Sequence, residues 1–380
     1  MSLDEALRRF PDAGIYVTLD TQYRYEAFHS IVSEFGINET RILNYEPVEL
    51  RVSCEYLDNY IAIINQILQN GKLARGLSFC CAGHGVPENH PLIEFSGTPK
   101  ETFEKFLQLR SDLLFKLNSG LPSKCDGCVK KIRRYQPLRH IFTKVILGSL
   151  CVCNFDCFYC YRHDLAFSPK DLSDELDVSA FLQLAKNYNG DNTENLWVYC
   201  AYGEITAHPP AYREKIYQEI RDFDVQFVTN ASIYDEFIHQ HLKTRKGSSI
   251  NVSLDCGTHE TFKRIKGRAM FPKVLENLRK YNEGRIGQIW LKYIFLPGVN
   301  DNENDVAGFV AIYRELNVDA AIISSDTHTM WYEDYNTKKM FTAVNLFKQL
   351  CDKNNVDVVN WSDVTIGRIL AEQSFEWEAL

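Results

Sequence analysis

Three cysteines of this chain fall within eight residues, at a spacing suited to metal chemistry. They are Cys153, Cys157 and Cys160, and they form a C-x3-C-x2-C pattern just after a strand-like segment. Thiolates are soft, charged ligands, and three of them in one loop can hold three irons of a [4Fe–4S] cluster. The fourth iron then keeps an open coordination position, as catalytic metal sites do. A zinc site is the alternative, although structural zinc prefers four protein ligands.

A second group of cysteines lies in the N-terminal third of the chain. Its members are Cys80, Cys81, Cys125 and Cys128. Clustered cysteines in a protein without secretory features bind metal more often than they form disulfides. An auxiliary iron–sulfur cluster is the first interpretation, a structural zinc the second and free buried cysteines the third. Whether Cys54 or His84 completes the ligand set stays open.

A regular alternation of strands and helices follows residue 140 and would position the three-cysteine loop. The β-branched and aromatic runs that predict strands are 142–148, 196–200, 225–229, 250–254, 288–295 and 320–324. Strands separated by helical segments predict parallel βαβ units. Six units are too few for a closed eight-stranded barrel, so we expect an open partial (β/α)6 TIM-like barrel. Active sites of such barrels lie at the carboxyl ends of the strands, where the cysteine loop falls.

The predicted organisation is α/β throughout, with three parts. Residues 1–138 are expected to form a smaller α/β domain, with helical periodicity at 55–69 and 100–117. Residues 139–328 are expected to form the barrel, and residues 329–380 a C-terminal helical extension.

Composition narrows the classes of function. The chain has 380 residues, of which 45% are hydrophobic, and its formal net charge is −8. This charge argues against general nucleic-acid binding, which needs a basic surface. No apolar run approaches the ~18–20 residues that span a bilayer. The N-terminus carries charges where a signal peptide needs an apolar stretch, so we expect a cytoplasmic protein.

The cysteine motif resembles that of the radical S-adenosylmethionine (radical SAM) superfamily. Members carry CxxxCxΦC with an aromatic residue at the penultimate position, which Tyr159 occupies here. The resemblance covers about residues 140–325. It implies a [4Fe–4S] cluster, S-adenosylmethionine as a cofactor, and reductive cleavage of that cofactor to begin radical chemistry. It also implies an electron donor such as flavodoxin or ferredoxin.

The same resemblance implies further cofactor-binding residues. After the second strand, Gly203 and Glu204 match the second half of a GGEP-like motif that binds the methionine amino group; the first Gly and the Pro are absent. After the fourth strand, Ser253 and Asp255 match positions that contact the ribose hydroxyls. On the fifth strand, Lys292 begins a segment ending in Pro-Gly-Val-Asn-Asp, which places it near the cofactor.

Three functions follow from these patterns. The first is a radical SAM enzyme that abstracts hydrogen from a small-molecule or sugar-type substrate, which the acidic charge balance favours. The second is the same chemistry on a peptide or protein side chain. The third is a non-catalytic iron–sulfur or zinc protein that senses redox state, which the open coordination position disfavours. The oligomeric state stays open.

Overall fold

A mainly parallel sheet organises the computed structural model of the chain. The structure describes residues 27–34, 37, 42, 48–67, 73–79, 93–123, 125–126, 128, 131–137, 141–148, 152–160, 178–190, 196–200, 203–325 and 337–359. All six predicted barrel strands are present in chain order: β6 (Lys144–Gly148), β7 (Trp197–Cys200), β8 (Asp224–Thr229), β9 (Ser249–Ser253), β10 (Gln288–Phe295) and β11 (Ala320–Ser325). Each is parallel to the next, which confirms the βαβ prediction.

Strands from both ends of the chain extend this sheet. At one edge, β12 (Val358–Val359) pairs in parallel with β11. At the other edge, β2 (Tyr60–Ile67) pairs in parallel with β6, followed by antiparallel β3 (Leu73–Ser78) and β4 (Ile93–Glu94). The sheet is therefore open, and it continues across the boundary that was predicted at residue 138. A separate two-stranded ribbon pairs β1 (Val48–Ser53) with β5 (Ile132–Pro137).

Helices lie between the strands along the chain, and those from residue 178 onward connect successive parallel strands and cover one face of the sheet. They are α1 (Glu55–Asn59), α2 (Pro99–Ser119), α3 (Val178–Asn189), α4 (Pro210–Ile220), α5 (Glu236–Thr244), α6 (His259–Lys266), α7 (Phe271–Asn282), α8 (Glu303–Leu316) and α9 (Thr337–Asn354). A short π-helix, Ser30–Glu34, and a 3-10 turn, Ile205–Ala207, complete the described helical segments. Among the residues that the structure describes, no helix is both long and apolar enough to cross a membrane.

The two faces of the sheet differ in what covers them, as β10 shows. Its alternate residues are fully buried, and Tyr293 packs on Phe309 of α8 at 5.0 Å and on Phe347 of α9 at 5.5 Å between ring centroids. The residues between them, such as Trp290 and Lys292, are only half-buried and point to the opposite face. That opposite face is the inner face of the partial barrel, where a substrate can approach.

The helical prediction for residues 55–69 is wrong beyond the first turn. Only α1 is helical there, and the chain then continues as β2. Tyr60, Ile61, Ala62 and Ile63 are all buried, so this strand is covered on both faces. A strand that is apolar on both faces lacks the alternation that separates strands from helices in sequence.

Candidate active site

The three-cysteine loop follows β6 at the carboxyl edge of the sheet. Cys153, Cys157 and Cys160 are all half-buried. The N–H of Cys160 donates to the carbonyl of Cys157 at 2.9 Å, so the C-x2-C half of the motif is a tight turn. Cys153 and Cys160 both act electrostatically on the Cys157 thiol, which places the three sulfur atoms around one region.

Three thiols in one loop are the donors that a [4Fe–4S] cluster uses. In such a cluster each thiolate binds a separate iron, so the three sulfur atoms need not meet at one point. Burial raises the pKa of the Cys157 thiol to about 11. Deprotonation at this position is therefore expected to accompany metal binding.

Helix α6 braces the cysteine loop through its last turn. The N–H groups of Asp156 and Phe158 donate to the carbonyls of Lys266 and Ile265 at 3.1 and 3.2 Å. These are end-of-helix carbonyls that need partners from outside the helix. The helix ends at Gly267, whose φ is +67° and whose missing Cβ leaves room for the Asp156 carbonyl. Any larger residue there would be strained and would press on the loop.

The ends of β7 and β8 hold the other side of the loop. The side-chain amide of Asn230, directly after β8, donates to Asn154 Oδ1 at 2.9 Å and lies 3.7 Å from the sulfur of Cys153. The N–H of Glu204, after β7, donates to the Val152 carbonyl at 2.7 Å. The neighbouring strand ends therefore hold the loop in place.

A buried ion pair lies beneath the cysteine loop. Asp255 Oδ2 accepts hydrogen bonds from the Lys266 ammonium and from the Tyr159 hydroxyl, the latter at 2.6 Å. Lys266 also donates to the Tyr159 oxygen at 3.0 Å. Asp255 Oδ1 accepts the Ile294 N–H at 2.9 Å. Both carboxylate oxygens are engaged by protein groups, and Asp255 is fully buried.

Glu204 is likewise enclosed by its own neighbours. It is fully buried, and its oxygens accept from the N–H and hydroxyl of Thr206, the hydroxyl of Thr229 and the N–H of Asn230. Burial raises the pKa of this carboxyl group, and these hydrogen bonds partly oppose the rise. The Glu204 side chain therefore links the ends of β7 and β8.

The other predicted cofactor residues lie where a ligand can reach them. Ser253 and Lys292 are register partners in β9 and β10, and both are half-buried on the inner face near the carboxyl ends of the strands. Gly203 has a φ of +101°, a conformation that other residues rarely adopt. The structure brings these positions to the same edge of the sheet as the cysteine loop.

Part of the N-terminal cysteine group also comes together. Cys54 follows β1 and caps α1, with its sulfur accepting the Leu57 N–H at 3.4 Å. Cys128 donates its N–H to the Cys125 carbonyl at 3.1 Å, so this C-x2-C pair forms the same kind of turn as the pair in the barrel loop. Cys125 acts electrostatically on Cys54, whose pKa burial raises to about 11.

The pairing of β1 with β5 explains this proximity. Ser53, at the end of β1, is the register partner of Ile132, at the start of β5. Cys54, directly after β1, and the segment that leads from Cys128 into β5 therefore adjoin the same end of the two-stranded ribbon. Cys80 and Cys81, which were also predicted as ligands, lie outside the described residues.

Two residues of the site were missed in the sequence. Asn230 directly follows a predicted strand, and the rule that sites gather at carboxyl strand ends could have found it. Lys266 ends a helix rich in charged residues, and nothing in its sequence context separates it from a solvated lysine.

An open, mainly parallel barrel with a three-cysteine loop at its carboxyl edge is typical of enzymes that use an iron–sulfur cluster. Residues 149–310 match the family model of the Radical SAM superfamily, so this part of the chain is similar to the family that the cysteine motif resembles. It is 27% identical over 173 residues to a "Probable GTP 3',8-cyclase" of Saccharolobus islandicus, covering 44% of this chain and 51% of the relative. A protein of the same name from Archaeoglobus fulgidus is 24% identical over 169 residues, covering 43% and 53%. The chain thus spans about half the length of the curated relatives it matches.

Solved structures with similar folds are more distant. Streptococcus suis SuiB matches with a TM-score of 0.45 and 14% identity, covering 71% of this chain and 56% of that one. The structure of TYW1 with a lysine-pyruvate adduct matches with a TM-score of 0.39 and 16% identity, covering 58% and 76%.

Proposed function

We propose that the chain reductively cleaves S-adenosylmethionine at a [4Fe–4S] cluster held by Cys153, Cys157 and Cys160, and that it abstracts hydrogen from a small-molecule or sugar-type substrate. The strongest support is the cysteine loop itself, which lies at the carboxyl edge of the sheet and is fixed by α6 and by two strand ends. When bound, the cluster and S-adenosylmethionine supply the electron and the radical that this reaction needs.

The residues around the loop divide into two roles. Ser253 and Lys292, half-buried on the inner face, are proposed to contact the cofactor. Gly203 lets the backbone approach it closely. Glu204 and Asp255 are proposed to fix the loops that carry these contacts, because both are fully buried and hydrogen-bonded to protein groups.

The proposed class of substrate rests on the inner face and on the relatives. The inner face of β10 mixes Trp290, Lys292 and Ile294, all half-buried, so it can contact both apolar and charged parts of a ligand. The curated relatives carry a name that describes the cyclisation of GTP, a nucleotide. Both points favour a small molecule over a peptide side chain.

A second metal site is proposed in the N-terminal part. Cys125 and Cys128 would supply two ligands, as the second turn of C-x2-C type in the chain. Cys54, which lies beside Cys125, is the proposed third ligand among the described residues. An iron–sulfur cluster is the proposed occupant and zinc the alternative. We further propose that a reduced flavodoxin or ferredoxin supplies electrons.

Anaerobic reconstitution of the full chain tests these proposals. Two [4Fe–4S] clusters would give about eight irons per chain, and one cluster about four. With dithionite and S-adenosylmethionine, the loaded protein should release 5′-deoxyadenosine. Cys157→Ala should abolish that release, whereas Cys351→Ala, a control in α9, should keep it. A filled cluster without 5′-deoxyadenosine would favour the non-catalytic iron–sulfur protein instead.

A further inference from the structure

A buried lysine lies against the cysteine loop without a role in the function proposed so far. Lys266, at the end of α6, is 1% exposed. Its ammonium contacts the carboxylate of Asp255 and the hydroxyl of Tyr159, which stands between two of the cysteines. A charged amine is costly to bury, so its retention at this place calls for an explanation.

Hydrogen bonds hold both partners of the ion pair in place. Asp255, with a φ of +59°, is held by the Ile294 N–H on its other oxygen and by Asn300 on its carbonyl. The carbonyl of Lys266 accepts the Asp156 N–H from the cysteine loop itself. Loop, helix and ion pair are therefore one hydrogen-bonded unit, and the ammonium cannot move away from the cysteines without breaking it.

We propose that Lys266 is a positioning residue that sets one fixed positive charge beside the three cysteines and makes the reduction of their cluster more favourable, with Asp255 and Tyr159 holding it in place. The inference rests on the function proposed above. An electron added among three thiolates increases the negative charge there, and a nearby cation in a poorly solvated site stabilises that charge.

The hydrogen bonds of the ion pair support this direction. The carboxylate of Asp255 accepts from the Tyr159 hydroxyl and the Ile294 N–H as well as from Lys266, so two further donors compensate its negative charge. The positive charge of the ammonium is therefore the less compensated of the two. Burial opposes the charge of Lys266, but the contacts with Asp255 and Tyr159 outweigh it and raise the pKa of the ammonium, so the lysine stays charged.

A redox titration of the full reconstituted chain separates this role from a purely structural one. The reduced fraction is followed by the EPR signal that changes when S-adenosylmethionine is added, which distinguishes the loop cluster from any second cluster. In Lys266→Met, the ratio of reduced to oxidised cluster at a fixed potential should fall about tenfold, equivalent to about 59 mV for one electron. In Lys266→Arg, which keeps the charge, it should stay within about threefold of the wild type.

Lys266→Gln provides the second test. This substitution removes the positive charge and keeps a donor for Asp255 and Tyr159, so the reduced fraction should fall about as far as in Lys266→Met. If Lys266 only braced the loop through its hydrogen bonds, Lys266→Gln would keep the reduced fraction of the wild type. If Lys266→Met fails to hold iron, Lys266→Gln decides the matter.

Three results would overturn the inference. They are an unchanged potential in Lys266→Met with full iron, an unchanged reduced fraction in Lys266→Gln with full iron, and loss of iron from both variants, because a field effect alone leaves the iron content intact. A wild-type protein that forms no cluster or releases no 5′-deoxyadenosine overturns the proposed function instead. Normal cleavage by variants with unchanged potentials overturns only the role of Lys266.

Discussion

Replacing Glu204 by Gln tests whether this residue links two strand ends or binds the cofactor. The two oxygens of Glu204 accept the rigid N–H groups of Thr206 at 3.2 Å and Asn230 at 2.5 Å. A glutamine side chain must turn its NH2 group towards one of these two N–H groups. Because a backbone N–H can only donate, that hydrogen bond is lost. A hydrogen bond to a charged group contributes about 1.5–3 kcal/mol, and removing the buried charge returns part of that loss. We therefore expect the free energy of unfolding to fall by about 2 kcal/mol.

Urea unfolding of the metal-free protein, followed by tryptophan fluorescence, measures this difference. Glu214→Gln is the matched control, since Glu214 is exposed on α4 and should change stability by no more than about 0.5 kcal/mol. Equilibrium dialysis with S-adenosylmethionine on the reconstituted protein gives the second readout. If Glu204→Gln has the same free energy of unfolding as the wild type but binds S-adenosylmethionine more weakly, Glu204 binds the cofactor and does not link the strand ends.

Two further predictions concern stability away from the cysteines. His208 is 3% exposed, neither ring nitrogen has a hydrogen-bond partner among the described residues, and burial, aided by Arg213, lowers its pKa from 6.5 to about 4. Between pH 4 and pH 6.5 the unfolded chain therefore binds more protons at this residue than the folded chain does. The free energy of unfolding should be highest above pH 6.5 and should decline by up to about 3 kcal/mol as the pH falls to 4. His208→Phe, which keeps the stack on Tyr212, should flatten this decline in urea midpoints, and an unaltered slope would contradict the reasoning. Gly257→Ala would press a Cβ against the Asp305 carbonyl of α8, so it should lower the free energy of unfolding by more than about 2 kcal/mol in the same assay. The control Ala307→Ser, on the exposed side of α8, should leave the urea midpoint unchanged. Equal midpoints for the two variants would show that α8 can move to make room for the added methyl group.

The barrel strands were predictable because each one shows a local pattern. Runs such as 288–295 are β-branched and aromatic, and helical segments separate them, so both the type of element and the parallel order followed from sequence. The end of β10 was predicted to the residue. By contrast, β2 is buried on both faces and joins the sheet next to β6, a pairing across about 80 residues that no local pattern records.

The proposed ligands of the site can be read from sequence, whereas the residues that support them cannot. The spacing of Cys153, Cys157 and Cys160 is a property of one loop, so the motif alone selects them as candidates. Glu204 and Asp255 were selected by position in a motif, but their surroundings depend on the loops after β8 and β9 folding over them. The Lys266–Asp255 pair arises from the exact docking of α6 on the cysteine loop, which is a tertiary contact with no signature in either segment.

The insertion of β2 beside β6 has a consequence for dissecting this protein. A fragment that begins at residue 139 would keep every strand of the barrel motif and lose the neighbour of its first strand. The N–H and C=O groups of β6 that now bond to Tyr60, Ala62 and the residues between them would form a bare, apolar edge. Such edges recruit other strands, so the shortened chain would tend to self-associate. The N-terminal part therefore protects the edge of the barrel, a role that does not depend on its cysteines binding metal.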